Sequence, residues 1–284
     1  DDLFLYGVIR FLIENPNTKI TVHIKYYSLE LSKEQKILGV ISRLMFEKYG
    51  IIISPEDLLS LFEERVLNSD YLNKIKALKS DIKFILDRVD FIEDIRNPVG
   101  IIKDVEAYME SVGSFTHKYI DFGDGKGPTK VRDQYKENDP NHYVIVITDH
   151  LSLLQTEKSA PTIKQAIDKF SSDYCIKMRN RYKCIIVNVQ QMSASSQTKE
   201  YHKGEMIIDK LVPASTDLAE SRITGRDANV LLGIFDAHAY NIKEIDGYDI
   251  MKTNNGLKDN FRQVMILLNR NGRSNASFNM IFAG

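Results

Sequence analysis

The sequence predicts an α/β domain built on a mostly parallel sheet with helices on both faces, and three observations carry that expectation. Tyr143 to Ile147 is a run of five apolar, largely β-branched residues that stops at Thr148-Asp149-His150, the pattern of a strand buried on both faces. Cys184 to Val189 repeats the pattern and stops at Gln190-Gln191. Between the two runs lies a helical stripe of Ile163, Ile167, Phe170, Tyr174 and Met178, so strand and helix alternate as in βαβ units.

The remaining elements follow in order. Residues 3 to 13 are apolar nearly all round, as in a buried helix, and Asn15-Pro16-Asn17 ends it. Lys19 to Tyr27 alternates, with Val22, Ile24 and Tyr26 on one face, and is expected to be a strand. Ser32 and Gln35 form a capping-box pattern that opens a helix to about Lys48, so Glu30 falls in a short strand-to-helix turn. Ser54-Pro55-Glu56-Asp57 opens a helix to about Leu67, and residues 70 to 87 form another. Arg88 to Ile95 is a short strand, and Asn97-Pro98 precedes a helix ending near Gly113.

Residues 114 to 141 are expected to be an inserted hairpin or loop. Its Gly123-Asp124-Gly125-Lys126-Gly127-Pro128 segment lacks the spacing G-x-x-x-x-G-K-[ST] and is read as a surface turn, not as a phosphate cradle. Pro161 begins the striped helix, which ends in the basic cluster Arg179-Asn180-Arg181. A polar loop runs from the second buried strand to about Ser215 and carries Lys199, His202, Lys203 and Lys210. Strands at Asn229 to Phe235, Gln263 to Leu268 and Ser277 to Phe282 close the chain.

Composition narrows the function classes. The 284 residues are 43% hydrophobic and 27% charged with a net charge of -1, so nucleic-acid binding would need a local basic surface. No apolar run is long enough to cross a bilayer, and the N-terminal LFLYGVIRFLI is short and interrupted by Arg10. Cys175 and Cys184 lack metal-site spacing and are read as buried reduced thiols of a cytosolic protein.

Three successive strands therefore end in Glu30, Asp149 and Gln191, and in a parallel sheet such ends lie side by side. Two carboxylates and an amide there are a usable set for nucleotide hydrolysis: one to activate water, one for magnesium, one to sense the terminal phosphate. Taken singly, Glu30 is equally a first-turn acid favoured by the helix dipole, Asp149 a turn cap, and Gln191 a satisfier of strand-end backbone.

On these motifs the chain resembles the RecA-like motor domain of DnaB-type hexameric replicative helicases. YYSLELSKEQ is similar to that family's strand-to-helix motif with the catalytic glutamate, and YVIVITDHLSLL to its magnesium-binding strand. IIVNVQQMSASSQ resembles the strand ending in S-Q-L, TDLAES the DNA-facing S-D-L-R-E-S segment, and RDANVLLGIF the strand that follows. ILLNRNGRSNASF is similar to K-x-R-N-G-x-T-G.

The resemblance implies a RecA-like three-layer sandwich with a mostly parallel central sheet, helices on both faces and antiparallel strands at the C-terminal end. It implies a single motor domain over residues 1–284, beginning just after a P-loop that lies upstream. ATP and Mg2+ are the implied cofactors. Glu30 would be the general base, Asp149 the magnesium ligand, Gln191 the γ-phosphate sensor and Arg270 the arginine finger reaching a neighbouring subunit. Lys158, Lys164, Lys199, Lys203, Glu220, Ser221 and Arg222 would line the DNA channel.

Single-stranded DNA, further copies forming a hexamer, a primase and a helicase loader are the implied partners, in the cytoplasm of a bacterial or phage-infected cell. Leu268, Ala219, Arg222 and Asn229 depart from the family pattern, where lysine, arginine, glycine and aspartate are usual. A recombinase-like or signalling ATPase on the same fold, and a non-hydrolysing structural or DNA-binding module without a P-loop, are the alternatives.

Overall fold

The computed structural model describes residues 2–59, 67–123, 125, 127–193, 198–199, 201–202, 205–206, 208, 211–250 and 261–281. In chain order the elements are α1 (Asp2–Glu14), β1 (Thr21–Ser28), α2 (Lys33–Tyr49), α3 (Pro55–Leu58), α4 (Ser69–Ala77), α5 (Lys79–Leu86), β2 (Val89–Ile92) and α6 (Pro98–Val112). Then come β3 (Gly113–Ile120), β4 (Thr129–Glu137), β5 (His142–Asp149), α7 (Ile163–Lys169), α8 (Ile176–Tyr182) and β6 (Ile185–Asn188). The last elements are β7 (Tyr201–His202), β8 (Glu205–Met206), α9 (Ile223–Asp227), β9 (Val230–Phe235), β10 (Glu244–Ile245), β11 (Tyr248–Asp249), β12 (Phe261–Asn269) and β13 (Ala276–Ile281). They fall into two compact units, residues 1–33 with 81–189 and residues 34–80 with 190–284.

The first unit is organised by a four-stranded parallel sheet in the order β2-β1-β5-β6. Strand β5 is buried from Val144 to Asp149, as its apolar run predicts. Strand β6 is less covered than its sequence suggests: it is an outer strand of this sheet, and Ile185 is 45% exposed. On one sheet face Tyr27, Leu29, Val144 and Val146 join Ile101, Val105 and Met109 of α6 and Ile167, Phe170 and Met178 of the α7–α8 rod in one core. That rod is the predicted striped helix, with a π-helical turn over Phe170–Cys175 between its two α segments. Cys184 lies in the same core, where burial pushes its thiol up to about 12, so it stays protonated.

The face of β1 that meets α6 also carries charge. Lys25 is 5% exposed and its Nζ lies 3.2 Å from Asp90 and 3.1 Å from Asp104. Asp104 accepts a 2.6 Å hydrogen bond from the Tyr27 hydroxyl, and His23, stacked on Tyr108 with ring centroids 4.3 Å apart, lies 3.0 Å from the Asp90 carboxylate. A buried ammonium is tolerable only with such partners.

Strands β3 and β4 form an antiparallel ribbon anchored at its base by an aromatic triangle. Phe115, Tyr135 and Tyr182 meet edge to face at centroid separations of 5.2–5.7 Å, and the Tyr135 hydroxyl donates to the Met109 carbonyl at 2.8 Å. Gly113 starts the ribbon because Tyr135 lies over its backbone, where any Cβ would overlap the ring.

In the second unit, β9, β12 and β13 form an antiparallel sheet in the order β13-β12-β9, and Phe235, Phe261 and Met265 contribute to its own core with Leu211, Ile242 and Ile250. The helix expected over residues 70 to 87 is two helices, because Leu78 adopts φ -79 and ψ -2 and ends α4. At the helix start expected at Ser54, Ser54 and Asp57 form a capping box, each side chain bonded to the other's backbone N–H; residues 60–66 of the helix expected there lie outside the described residues.

The charged face of β1 should be visible in stability measurements. Lys25→Met should lower unfolding free energy by roughly 2–3 kcal/mol in urea titration, since it strands two carboxylates that are only partly exposed. Burial works to raise the Asp90 carboxyl, but hydrogen bonds and charge from His23 and Lys25 outweigh it and hold the group below its ordinary value. Its stabilisation is complete above the unfolded carboxylate pKa and disappears as pH falls through the lower, folded one. Asp90→Asn should therefore flatten the acid limb of a stability-against-pH curve.

Candidate functional site at the strand ends

The parallel register fixes where the first two candidate residues stand. Ser28 of β1 pairs with Asp149 of β5, and the ladder makes one further bond, from the Leu29 N–H to the Asp149 carbonyl at 2.7 Å. Glu30 is the first residue beyond it. The two carboxylates thus occupy neighbouring strand ends, in different environments. Asp149 is 8% exposed and accepts a 2.8 Å hydrogen bond at Oδ2 from the Tyr26 hydroxyl, itself fully buried. The Glu30 side chain is 54% exposed, and its Oε2 lies 3.8 Å from Nε2 of the buried His150.

The turn that presents Glu30 is held by its own hydrogen bonds. The Ser28 hydroxyl donates to the Leu31 carbonyl at 2.5 Å, the Arg96 guanidinium donates to the Leu29 carbonyl, and Glu93 accepts the Lys33 N–H at 2.8 Å where α2 begins. Behind Asp149, the Leu151 N–H donates to the Val189 carbonyl at 2.9 Å, tying the segment after β5 to the end of β6. Neither Tyr26, His150 nor Arg96 was singled out from the sequence. His150 had a signal, its place beside Asp149. Tyr26 and Arg96 had none, because strand pairing and the β2–α6 turn bring them in.

The Gln191 segment belongs to the second unit, and there the TDLAES segment runs alongside it. Ala219 N–H donates to the Gln191 carbonyl at 3.0 Å, Ser193 N–H to the Asp217 carbonyl at 2.7 Å, and Met192 bridges Leu218 in antiparallel sense. Gln190 is the fastener: its Nε2 donates to the carbonyls of Ala219 and, at 3.0 Å, Ser221, and its Oε1 accepts the Thr224 hydroxyl. Gln191 is exposed.

Ser221 is 2% exposed, and its Oγ accepts the Ile223 N–H at 3.1 Å at the start of α9. Glu220, at φ 62, and Arg222 flank it on the surface. Arg270 is exposed; its guanidinium donates to the Arg226 carbonyl and its N–H to the Asn229 carbonyl at 2.9 Å. The turn holding it is set by Asn269, whose Oδ1 accepts the Asn271 N–H at 3.1 Å.

Of the other cationic candidates, Lys158 is exposed on the loop that follows β5, and Lys164 is exposed and paired with Asp168 at 2.7 Å within α7. Lys199 is exposed with its ammonium 5.9 Å from the Tyr240 ring centroid, and Lys203 lies outside the described residues.

Substitutions separate the two strand-end arrangements. Gln190→Ala deprives two carbonyls and a hydroxyl of a partner at once and should cost roughly 1–3 kcal/mol, read as a lower urea midpoint. Tyr26→Phe keeps the packing and removes one donor to a carboxylate. It should cost about 1.5 kcal/mol or more by the same measurement.

No family model matches this chain, and no curated protein matches it. Solved structures do. A DnaB-like replicative helicase, solved to describe its interactions with primase, aligns at TM-score 0.57 and 16% identity over 92% of this chain and 49% of its own. This chain thus spans about half the length of that helicase. A second solved structure, an ATPase domain, aligns at TM-score 0.60 and 16% identity over 98% of this chain and 76% of its own. A parallel sheet ordered β2-β1-β5-β6 with its helices, followed by antiparallel C-terminal strands, is thus the RecA-like α/β fold of the DnaB-type helicase ATPase domains.

Proposed function

We propose that the chain is the motor domain of an ATP-dependent DNA helicase that encircles and translocates on single-stranded DNA as a hexameric ring, hydrolysing ATP between subunits. The observation that carries this is the pairing of Ser28 with Asp149, which sets Glu30 and Asp149 on adjacent strand ends of a DnaB-like fold.

Glu30, exposed at the end of a tightly bonded turn, is the general base: its carboxylate takes the proton of the attacking water. Asp149, fixed by Tyr26, holds Mg2+ or one of its waters. Among the described residues no three His, Cys, Asp or Glu form a metal cluster. A magnesium ion carried in by a nucleotide needs only one or two carboxylates, so this donor set fits it. When bound, the ion neutralises charge on the transferring phosphoryl group.

Gln191 senses the terminal phosphate, and Arg270 reaches the ATP site of the adjacent protomer. Lys158, Lys164, Lys199, Lys203, Glu220, Ser221 and Arg222 belong to the segments assigned to the DNA channel; the exposed cations contact phosphates, while Ser221 positions the loop from within. Primase and a loader are the expected protein partners, in the cytoplasm of a bacterial or phage-infected cell.

The test is ATP hydrolysis by the natural full-length protein, with and without single-stranded DNA and with Mg2+ removed and restored. Turnover should be stimulated by DNA, vanish with chelator, and fall about a hundredfold or more in Glu30→Gln. Arg270→Ala should lose about a thousandfold or more with the fold intact, the usual scale for an arginine finger. Turnover unaltered in Glu30→Gln would sink the assignment of the base, and absence of hydrolysis by the wild-type protein would favour the non-hydrolysing module.

A further inference from the structure

The β3–β4 ribbon takes no part in the site above. It leaves the first unit where β5 begins, with Asn138 N–H bonded to the Val112 carbonyl at 3.0 Å, whereas Glu30 and Asp149 stand where the strands stop. Beyond the Phe115–Tyr135–Tyr182 triangle it reaches into solvent and carries two aromatic side chains near its tip, Tyr119 at 70% and Phe122 at 63% exposure. Exposed rings of this size are costly to leave wet unless something covers them.

The register shows what accompanies them. Tyr119 pairs with Lys130 and His117 with Arg132, so on one face of the ribbon the rings of β3 stand directly beside the cations of β4; Arg132 is bound to Glu110. Three of the described acids on the ribbon are already engaged. Asp133 pairs with Lys118 at 2.7 Å, Glu137 with Lys183 at 3.1 Å, and Asp121 accepts the Gly123 N–H at 2.9 Å within the turn. Lys130 is exposed and makes no ion pair among the described residues. Gly123, Gly125 and Gly127, between the two strands, adopt φ 70, 76 and 77, the left-handed region open to glycine.

We propose that the β3–β4 ribbon is a second nucleic-acid contact, in which Tyr119 and Phe122 stack on unpaired bases and Lys130, the cross-strand partner of Tyr119, meets a flanking phosphate. Rings accept any base and an uncommitted lysine accepts any phosphate, so the ligand is a single strand of no fixed sequence. A protein partner would be favoured by rings without a free cation, and here Lys130 stands directly beside Tyr119. The ribbon stands at the opposite sheet end from Asp149, so its strand is not the one at the loop after β5 that carries Lys158. The inference shares its ligand class with the proposed function but does not depend on hydrolysis.

The test cross-links bromodeoxyuridine-substituted oligothymidylate to the full-length protein without nucleotide and maps the attached peptides. Fluorescence anisotropy with the same oligonucleotide runs alongside. Cross-links within residues 113–137 are expected, with binding weakened about tenfold in Tyr119→Ala/Phe122→Ala and retained in Tyr119→Phe. Lys130→Ala should flatten the salt dependence by about one phosphate contact's worth. DNA-independent ATP hydrolysis should be unchanged in all three.

Cross-links confined to other segments, or affinity of the double aromatic variant within about twofold of wild type, would overturn the proposal and leave the tip to a protein partner. Ribbon cross-links in a protein that hydrolyses no ATP would sustain this inference while removing the motor reading.

Discussion

The arrangement depends on one backbone constraint, the parallel register of β1 against β5. Because Ser28 lies opposite Asp149, the ladder ends with the Leu29 N–H on the Asp149 carbonyl, and the next residue is Glu30. A slip of one residue would turn every side chain of β1 to the other face. It would put Tyr26 beyond reach of Asp149 and drive Lys25 away from Asp90 and Asp104. Apolar burial and a buried ion cluster therefore select the same register, and the strand-end carboxylates inherit it.

That consistency extends to the two faces of β1. Even-numbered Ile24 and Tyr26 are fully buried on one side, and odd-numbered Tyr27 and Leu29 pack on α6 on the other. Lys25 and His23 share the second face with the core, at the end away from Glu30, so charge is confined to the start of the strand. The site end is kept firm by hydrogen bonds from the Ser28 and Tyr26 hydroxyls and from the Arg96 guanidinium.

The resemblance to helicase motors rested on short motifs, and the solved structures that align with this chain share only 16% of its residues. Fold similarity at that distance is a statement about sheet order and helix placement. Chemistry has to be argued from the strand ends themselves, which is why the environments of Glu30 and Asp149 carry more weight than the alignment.

By itself the sequence determined the elements whose patterns are local and strong. The unbroken apolar run of β5, the alternation in β1 and the stripe of the α7–α8 rod are read directly because burial on one or both faces dictates residue type at a fixed period. The candidate residues Glu30, Asp149 and Gln191 were legible as strand-end polar positions for the same reason. Tertiary structure decided what no period encodes. The partners of those residues, Tyr26, Arg96 and His150, come from strand pairing and turn packing across dozens of residues. The exposure of β6 follows from its outer place in the four-stranded sheet. The role of Gln190 was equally hidden: its amide meets the carbonyls of Ala219 and Ser221, while its identical neighbour Gln191 is exposed. A one-dimensional pattern records which side chains avoid water, whereas hydrogen-bond partners are chosen only once distant segments are brought together.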